Sequence, residues 1–222
     1  MKCIVTGGAG FIGSNLCQKL IELGHKVTVI DNLSTGIQSN LKKIKEKINF
    51  KKLDISKIHD LDQVSFQDVD WVFHLAGIAD IVPSIQNPDK YFSSNVLGTL
   101  NILEKSKIAK VKKFIYAASA SCYGIPDNLP TKETEKIKPE YPYALTKNIA
   151  EQLVMHWAKI YKMPNISLRF FNAYGPNSRT TGAYGAMFGV FLAQKLNNLP
   201  LTIVGDGNQT RDFIHVNDLV DA

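Results

Sequence analysis

The sequence predicts an α/β fold built on a doubly wound parallel sheet, and three observations carry that reading. Short β-branched runs alternate with amphipathic stretches through the first two-thirds of the chain, as strand–helix–strand units do. A glycine-rich turn, Gly7-Gly8-Ala9-Gly10-Phe11-Ile12-Gly13, follows the first run and opens the first helical pattern. Asp31 closes the second run, at the distance past the glycines where an acidic ribose ligand sits in dinucleotide-binding sheets.

In chain order, strands are expected at 2–6, 26–31, 48–53, 71–75, 114–117 and 166–170. Helical spacing of apolar residues marks 12–23, 91–106 and 144–161. Gly24 stands just past the first helix, where a left-handed residue commonly ends one. Pro142 suits the opening position of the third. The lysine-dense stretch Lys42-Lys43-Ile44-Lys45-Glu46-Lys47, continued by Lys51-Lys52, reads as a solvated helix face. After Asn172 the character changes. Residues 175–182 are loop-like, 187–196 read as a helix, 201–204 as a strand, and Val216, Leu219 and Val220 begin another helix. The border is therefore placed near Phe171: a dinucleotide-binding domain over 1–171 and a partial substrate-binding region over 172–222, in a chain that reads as a truncated copy of a longer protein.

Composition narrows the class. With 222 residues, 45% hydrophobic and 21% charged, the chain can bury a sizeable core. No apolar run is long enough to span a bilayer, and the N-terminus moves straight into a strand without a signal-peptide pattern, so no membrane association and a cytoplasmic location are expected. Cys3, Cys17 and Cys122 form no CxxC pair and read as small buried hydrophobes; no metal site is expected. The net charge of +6 comes almost wholly from lysine, with arginine only at 169, 179 and 211. Its densest run lacks interleaved aromatics apart from Phe50, which argues against nucleic acid. A small polyanionic substrate suits such a protein.

The glycine turn fits GxGxxG from Gly8 to Gly13, and Gly7 adds a GxxGxxG reading. Glycines there allow a tight turn and let the backbone approach a pyrophosphate at a helix N-terminus. A phosphate loop of the Walker type is excluded, because Ser14 rather than lysine follows Gly13. Asp31, with Asn32 beside it, would accept hydrogen bonds from a ribose and repel a 2′-phosphate, which favours NAD over NADP.

Tyr143-Ala144-Leu145-Thr146-Lys147 places a phenol and an ammonium one helical turn apart. A free phenol titrates near pH 10, and a neighbouring positive charge lowers that value toward a usable base. Ser119 lies upstream in Ala118-Ser119-Ala120-Ser121-Cys122-Tyr123-Gly124, after a predicted strand.

On these motifs the chain resembles the extended short-chain dehydrogenase/reductase family, in particular its nucleotide-sugar epimerase and dehydratase branch, from Met1 to Ala222. The resemblance implies a Rossmann-type core holding NAD at Gly7, Gly10, Phe11, Ile12, Gly13, Asp31 and Asn32. It implies further that Asp54-Ile55 contacts adenine, that Leu75-Ala76-Gly77 lines the cofactor, that Asn95 stabilises the central sheet near it, and that Phe171 lies against the nicotinamide. His74 reads as a satisfied core histidine without chemistry. By the same resemblance Lys147 hydrogen-bonds the nicotinamide ribose and holds Tyr143 anionic. Tyr143 then removes a sugar hydroxyl proton while Ser119 hydrogen-bonds that oxygen, and hydride passes from the sugar carbon to NAD.

Substrate contacts implied in this way are Asn172, in Leu168-Arg169-Phe170-Phe171-Asn172-Ala173-Tyr174-Gly175-Pro176, and Arg211, in Gly205-Asp206-Gly207-Asn208-Gln209-Thr210-Arg211-Asp212-Phe213, both toward the diphosphate. An ion pair of Arg211 with Asp206 or Asp212 is the alternative use of that side chain. Ser84, in Val82-Pro83-Ser84-Ile85, is a further polar contact. Relatives that eliminate water or carbon dioxide typically carry a carboxylate one or two positions after the active-site Ser or Thr; here those positions are Ala120 and Ser121. The expected activity is therefore an NAD-dependent UDP-sugar 4-epimerase, with a 4,6-dehydratase or UDP-glucuronate decarboxylase, or a non-catalytic NAD-binding protein, as alternatives. Ala79 stands where galactose-type epimerases usually carry lysine, so glucose and N-acetylglucosamine substrates both stay open. The resemblance also implies a homodimer joined through 91–106 and 144–161.

Overall fold

The structure is a computed structural model that describes residues 1–180, 187–203 and 205–222. β1 (Lys2–Thr6), β2 (Lys26–Ile30), β3 (Ile48–Lys51), β4 (Trp71–His74), β5 (Lys113–Ser119) and β6 (Asn165–Phe170) form an all-parallel six-stranded sheet in the order β3-β2-β1-β4-β5-β6. The chain winds outward from β1 in one direction and, from β4, in the other. That reversal opens a crevice beyond the C-terminal ends of β1 and β4, where ligands bind in sheets of this topology.

Both faces of the sheet are covered, which is why its strands read as nearly continuous apolar runs. Successive residues of β1 point to opposite faces. Ile4 joins Ile30, Val72, Phe114 and Ala118 against Ile102 and Leu103 of α4 (Gly98–Ala109) and Ala150 and Val154 of α5 (Pro142–Tyr161). Cys3 and Val5 join Val27 and Val29 against Leu16, Cys17 and Leu20 of α1 (Phe11–Glu22), with Leu41 and Ile44 from the lysine-rich segment. Each such side chain, once buried, contributes about 1.5–3 kcal/mol. All three cysteines are buried and unpaired, as expected, and burial pushes the Cys3 thiol up to about 11.

The elements depart from expectation in four places. Segment 38–47 forms 3-10 turns rather than an α-helix, exposing its lysines while Leu41 and Ile44 face inward. The helix expected over 91–106 is divided into α3 (Pro88–Tyr91), a π-helical turn (Phe92–Leu97) and α4, and α2 (Ile81–Gln86) precedes it without a sequence signal. Strands β2, β3 and β4 stop one or two residues early, and past β2 and β4 the chain leaves the ladder to line the crevice with Asp31 and Leu75. The strand expected at 201–204 is absent over residues 201–203, and Val204 lies outside the described residues, as do Thr181 and Gly182 of the expected loop. A second sheet is instead made by β7 (Asn172–Tyr174) and β8 (Phe213–His215), paired in parallel. Strands of three residues are too short to show a period. α6 (Met187–Leu196) and α7 (Val216–Asp221) follow the expected pattern.

His74 ends β4 with no exposed surface. Its Nδ1 meets Thr6 Oγ1 at 2.7 Å and its Nε2 meets Thr99 Oγ1 at 2.8 Å. Burial, aided by the Lys147 charge, pushes the imidazole down to about 3. Because the folded value lies below the unfolded one, the unfolded chain binds more protons between pH 6.5 and 3, and stability is lost as pH falls through that window. The expected slope from this group is about 1.4 kcal/mol per pH unit. Urea unfolding at several pH values should show a shallower acid slope for His74→Gln than for the parent; equal slopes would refute the assignment.

Candidate functional site

The crevice begins at the glycine turn. Gly7 has φ +70°, its N–H donates to Ile30 O at 2.8 Å, and a Cβ there would come within 2.7 Å of Ala76 N. A Cβ on Gly13 would run into the carbonyl oxygen of Gly7. Gly10 starts α1 in extended conformation with no side-chain cap, so the amide donors of the first turn are presented without a covering residue of their own. A backbone cradle that side chains would fill, at an uncapped helix start, fits the pyrophosphate of a dinucleotide.

Gly7, Gly10, Asp31, Asn32 and Ile55 line one side of the cleft, and Leu75-Ala76-Gly77 the other. Asp31 is nearly buried; one carboxylate oxygen accepts from Ala9 N at 2.9 Å and the other from Leu33 N at 2.8 Å. These bonds lock the carboxylate against the glycine turn and leave lone pairs for ribose hydroxyls. Asn32 donates to Asp54 at 3.3 Å, and Ser56 donates to Asp54 through both N–H and hydroxyl. Burial alone would raise the Asp54 carboxyl, but these donors outweigh it and hold the group low. Thr6 receives Leu75 N on its carbonyl at 3.1 Å and Ala76 N on its hydroxyl at 3.2 Å, so β1 positions the opposite wall. Phe11 and Gly13 belong to the turn of α1 behind this lining, where Phe11 O accepts from Ser14 and Asn15, and Ile12 is half-buried beside them.

Sequence reasoning missed Ser34, Thr35 and Gly36, which also line the cleft. A Cβ on Gly36 would come within 2.9 Å of Asp31, so glycine is what lets this turn close over the carboxylate. The signal was present in Asp31-Asn32-Leu33-Ser34-Thr35-Gly36, which reads as a turn whichever way it is used.

Asn95 acts just beyond the sheet: its Oδ1 accepts from Ile78 N at 2.8 Å, and its amide donates to Ile78 O and to Thr146 Oγ1, each at 3.1 Å. It thus ties the loop after β4 to α5. The π-helical turn carrying it supplies the local widening that turns this side chain inward.

The catalytic candidates meet at the C-terminal end of β5. Pro142 opens α5 after the extended Tyr141, and one turn separates Tyr143 from Lys147 on the same helix face. Ser119, the last residue of β5, accepts from Ser121 N at 3.2 Å and from Ser121 Oγ at 2.8 Å, capping the short turn Ala120–Tyr123. Both serines sit near enough to the Tyr143 hydroxyl to pull its titration down. Ser121 had been noted only for lacking a carboxylate.

Burial holds the Tyr143 phenol above its usual value, the two serines pull it down, and Asp80 and Cys122 push it up. The Lys147 ammonium donates to Ala117 O and lies 4.4 Å over the Tyr116 ring, and burial pushes it down to about 7 against the upward pull of Glu151. Its Nζ thus sits at the end of β5, 3.9 Å from where a Cβ on Gly77 would lie.

The substrate candidates are dispersed. Ser84 is fully buried and donates to Ile81 O at 2.6 Å, so in place of a presented hydroxyl it braces α2. Asn172 donates to Asp212 O at 3.0 Å, joining β7 to the segment before β8. Arg211 is exposed and donates to Thr210 O at 2.7 Å; among the described residues no ion pair joins it to Asp206 or Asp212. Phe171 is 49% exposed at the end of β6 and stacks on Tyr123 with ring centroids 6.5 Å apart. Beneath them, unanticipated, Arg169 meets both oxygens of Glu151 at 3.0 Å and donates to Tyr123 at 2.7 Å, pinning β6 to α5 behind the catalytic turn. Among the described residues no group of three His, Cys, Asp or Glu could hold a metal, and no helix is long and apolar enough to cross a membrane.

Comparison with known proteins places this geometry. The model of the NAD dependent epimerase/dehydratase family matches residues 3–222. A UDP-glucose 4-epimerase from Thermotoga maritima, solved with UDP-glucose, superposes with a TM-score of 0.93 at 36% identity, covering 100% of this chain and 71% of that one. A UDP-N-acetylglucosamine 4-epimerase from Methanobrevibacter ruminantium gives a TM-score of 0.91 at 35% identity, covering 99% and 70%. UDP-glucuronic acid decarboxylase 1 of Arabidopsis thaliana is 37% identical over 227 residues, covering 100% of this chain and 51% of that protein.

Proposed function

The chain belongs to the NAD-dependent epimerase/dehydratase family, and on that premise we propose that it is a UDP-sugar 4-epimerase. Its substrates are the UDP-glucose/UDP-galactose pair or the N-acetylhexosamine pair, interconverted through a transient 4-keto sugar. The observation that carries this reading is the turn after Ser119. It holds Ser119 and Ser121, bonded to each other at 2.8 Å, near the Tyr143 phenol, and Ala120 and Ser121 place no carboxylate there. Eliminating water calls for an acid at the leaving hydroxyl, whereas epimerisation calls only for a proton acceptor at one oxygen.

The glycine turn, Asp31, Asn32, Asp54-Ile55 and Leu75-Ala76-Gly77 would hold NAD, which when bound supplies the acceptor and donor of the sugar's hydride. The chain's own residues do the rest. Tyr143 takes the proton of the 4-hydroxyl and returns it to the same oxygen, Ser119 orients that oxygen, and Lys147 serves the nicotinamide ribose from the floor beneath Gly77. Phe171 would border the nicotinamide end, and Asn172 and Arg211 would contact the diphosphate.

The border near Phe171 divides cofactor and substrate regions, supported by the change of sheet between Phe170 and Asn172. A homodimer through segments 91–106 and 144–161 is supported by the exposed apolar residues Phe92, Leu97, Met155 and Ile160 in them. A cytoplasmic site completes the reading.

Proton NMR of the full gene product with UDP-glucose, and separately with UDP-N-acetylglucosamine, tests it. New galacto-configured anomeric signals are expected, without added NAD if the cofactor is retained. Release of CO₂ from a UDP-uronic acid or accumulation of a 4-keto-6-deoxy sugar would instead make the protein a lyase. Unchanged spectra with NAD present would remove 4-epimerisation of these sugars.

A further inference from the structure

A buried histidine outside the catalytic set stands between the two ends of the cofactor wall. Leu75, Ala76, Gly77 and Ile78 line the cleft that Asp31 also lines. This wall leaves β4 directly after His74, whose ring has no exposed surface and stacks on Tyr116 with centroids 5.7 Å apart.

Counting donors and acceptors assigns each hydrogen along the path. Thr99, on α4, gives its hydroxyl hydrogen to Asn95 O at 2.6 Å. Its Oγ1 is then an acceptor for His74 Nε2, 2.8 Å away, and that nitrogen must carry the ring proton. On the other edge of the ring, Thr6 Oγ1 accepts from Ala76 N at 3.2 Å and lies 2.7 Å from His74 Nδ1. Thr6 is fully buried, and Nδ1 is the acceptor that its hydroxyl hydrogen meets. The reverse tautomer would set two lone pairs against each other at the Thr99 end and displace the Thr6 hydrogen from its acceptor, a cost no water relieves in a site with no exposed surface.

Beyond Thr99 the path returns to the wall. The Asn95 side chain accepts from Ile78 N at 2.8 Å and donates to Ile78 O at 3.1 Å. A Cβ on Gly77 would come within 3.0 Å of Asn95 Oδ1, so glycine is what lets the wall pass this close. The links therefore run from Ala76 through Thr6, His74, Thr99 and Asn95 to Ile78, and the loop of bonds closes around Gly77.

We propose that His74 is a positioning residue for the cofactor wall: held as the neutral Nε2–H tautomer, it joins the bonds that fix Ala76 on one side of Gly77 and Ile78 on the other. The role rests on the reading of this cleft as the NAD site; the directions of the bonds do not. His74 itself touches neither cofactor nor substrate and acts through Thr6 and Thr99.

Imidazole nitrogen NMR of the NAD-bound full gene product at neutral pH tests the assignment, with the His74 signals identified by their loss in His74→Asn. A neutral ring protonated on Nε2 is expected. Thr99→Val removes the acceptor at Nε2, so the proton should pass to Nδ1, where Thr6 Oγ1 accepts it and turns its own hydrogen toward the Ala76 N–H. NAD affinity, read from exchange of bound for labelled cofactor, should then fall by about 3–10-fold, although Thr99 does not line the cleft. Thr99→Ser keeps the hydroxyl and should restore both readouts. Ile102→Val, in the buried face of the same helix, should lower the melting temperature and leave both unchanged.

A parent ring protonated on Nδ1, or on both nitrogens, would overturn the proposal. So would a Thr99→Val protein that loses no more NAD affinity than Ile102→Val while Gly7→Ala does weaken NAD binding. If Thr99→Val and Gly7→Ala both leave NAD affinity intact, the cleft is not the cofactor's and the role falls with that reading. If Thr99→Val does not fold, the tautomer of the parent decides alone.

Discussion

Tyr143→Phe is expected to lower epimerase turnover by about 10²–10⁴-fold while NAD content and melting temperature stay with the parent. The substitution removes one oxygen and keeps the ring, so the packing of α5 on the cleft survives. Ser119 and Ser121 still bond each other at 2.8 Å, and no buried group is orphaned by the change. What disappears is the acceptor for the sugar proton, and water in its place is neither positioned nor tuned by the serine pair. Single-turnover NMR, with NAD quantified after denaturation, separates the two quantities. Turnover within tenfold of the parent would mean that another group takes the proton, and the assignment of Tyr143 would fall.

Gly7→Ala should strike the cofactor side as hard. The residue sits at φ +70°, which strains any side chain, and its Cβ would meet Ala76 N, Ala76 Cα and the Leu75 carbonyl carbon at 2.7–2.8 Å. These are backbone atoms held by Thr6 on both its carbonyl and its hydroxyl, so the neighbour cannot yield cheaply. The left-handed backbone and the overpacking together amount to about 2–4 kcal/mol. Melting temperature should fall by about 5–15 °C. The wall that must move is the one facing NAD, so affinity measured by calorimetry should drop by more than tenfold. Gly24→Ala is the control: its φ is +78° with nothing near its Cβ, so it should show the strain alone and leave NAD affinity intact. Equal NAD affinity in parent and Gly7→Ala would show that the cleft between Gly7 and Ala76 is not the cofactor's path.

Much of the architecture was legible because it is written in local periods. Val, Ile and Phe runs gave the six parallel strands to within a few residues, and a helix start at Pro142 brought Tyr143 and Lys147 to one face. Gly7, Asp31 and Ser119 stood out by residue type in strand–turn–helix units, and the structure puts Gly7 and Asp31 directly after β1 and β2 and Ser119 at the end of β5. Three-residue strands, the 3-10 form of 38–47 and the π-helical turn at Asn95 were not legible, because each is a choice among backbone forms of similar local energy, settled by the neighbours it packs on.

The charge relations around the base lay furthest from the sequence. An i,i+4 spacing brought Lys147 to the tyrosine's face, yet the end of β5 captured the ammonium through Ala117 and Tyr116. Asp80 and Arg179 stand 99 positions apart, and nothing in their local sequence marks them as a pair. Order along the chain was enough for the strands, the glycine turn and the serine, tyrosine and lysine, since those depend on spacing within one element. Burial, the direction of each charge and the value at which the phenol titrates depend on which groups converge from distant elements and how much water they exclude, and that was decided only when the sheet, its helices and the loop beyond β7 came together.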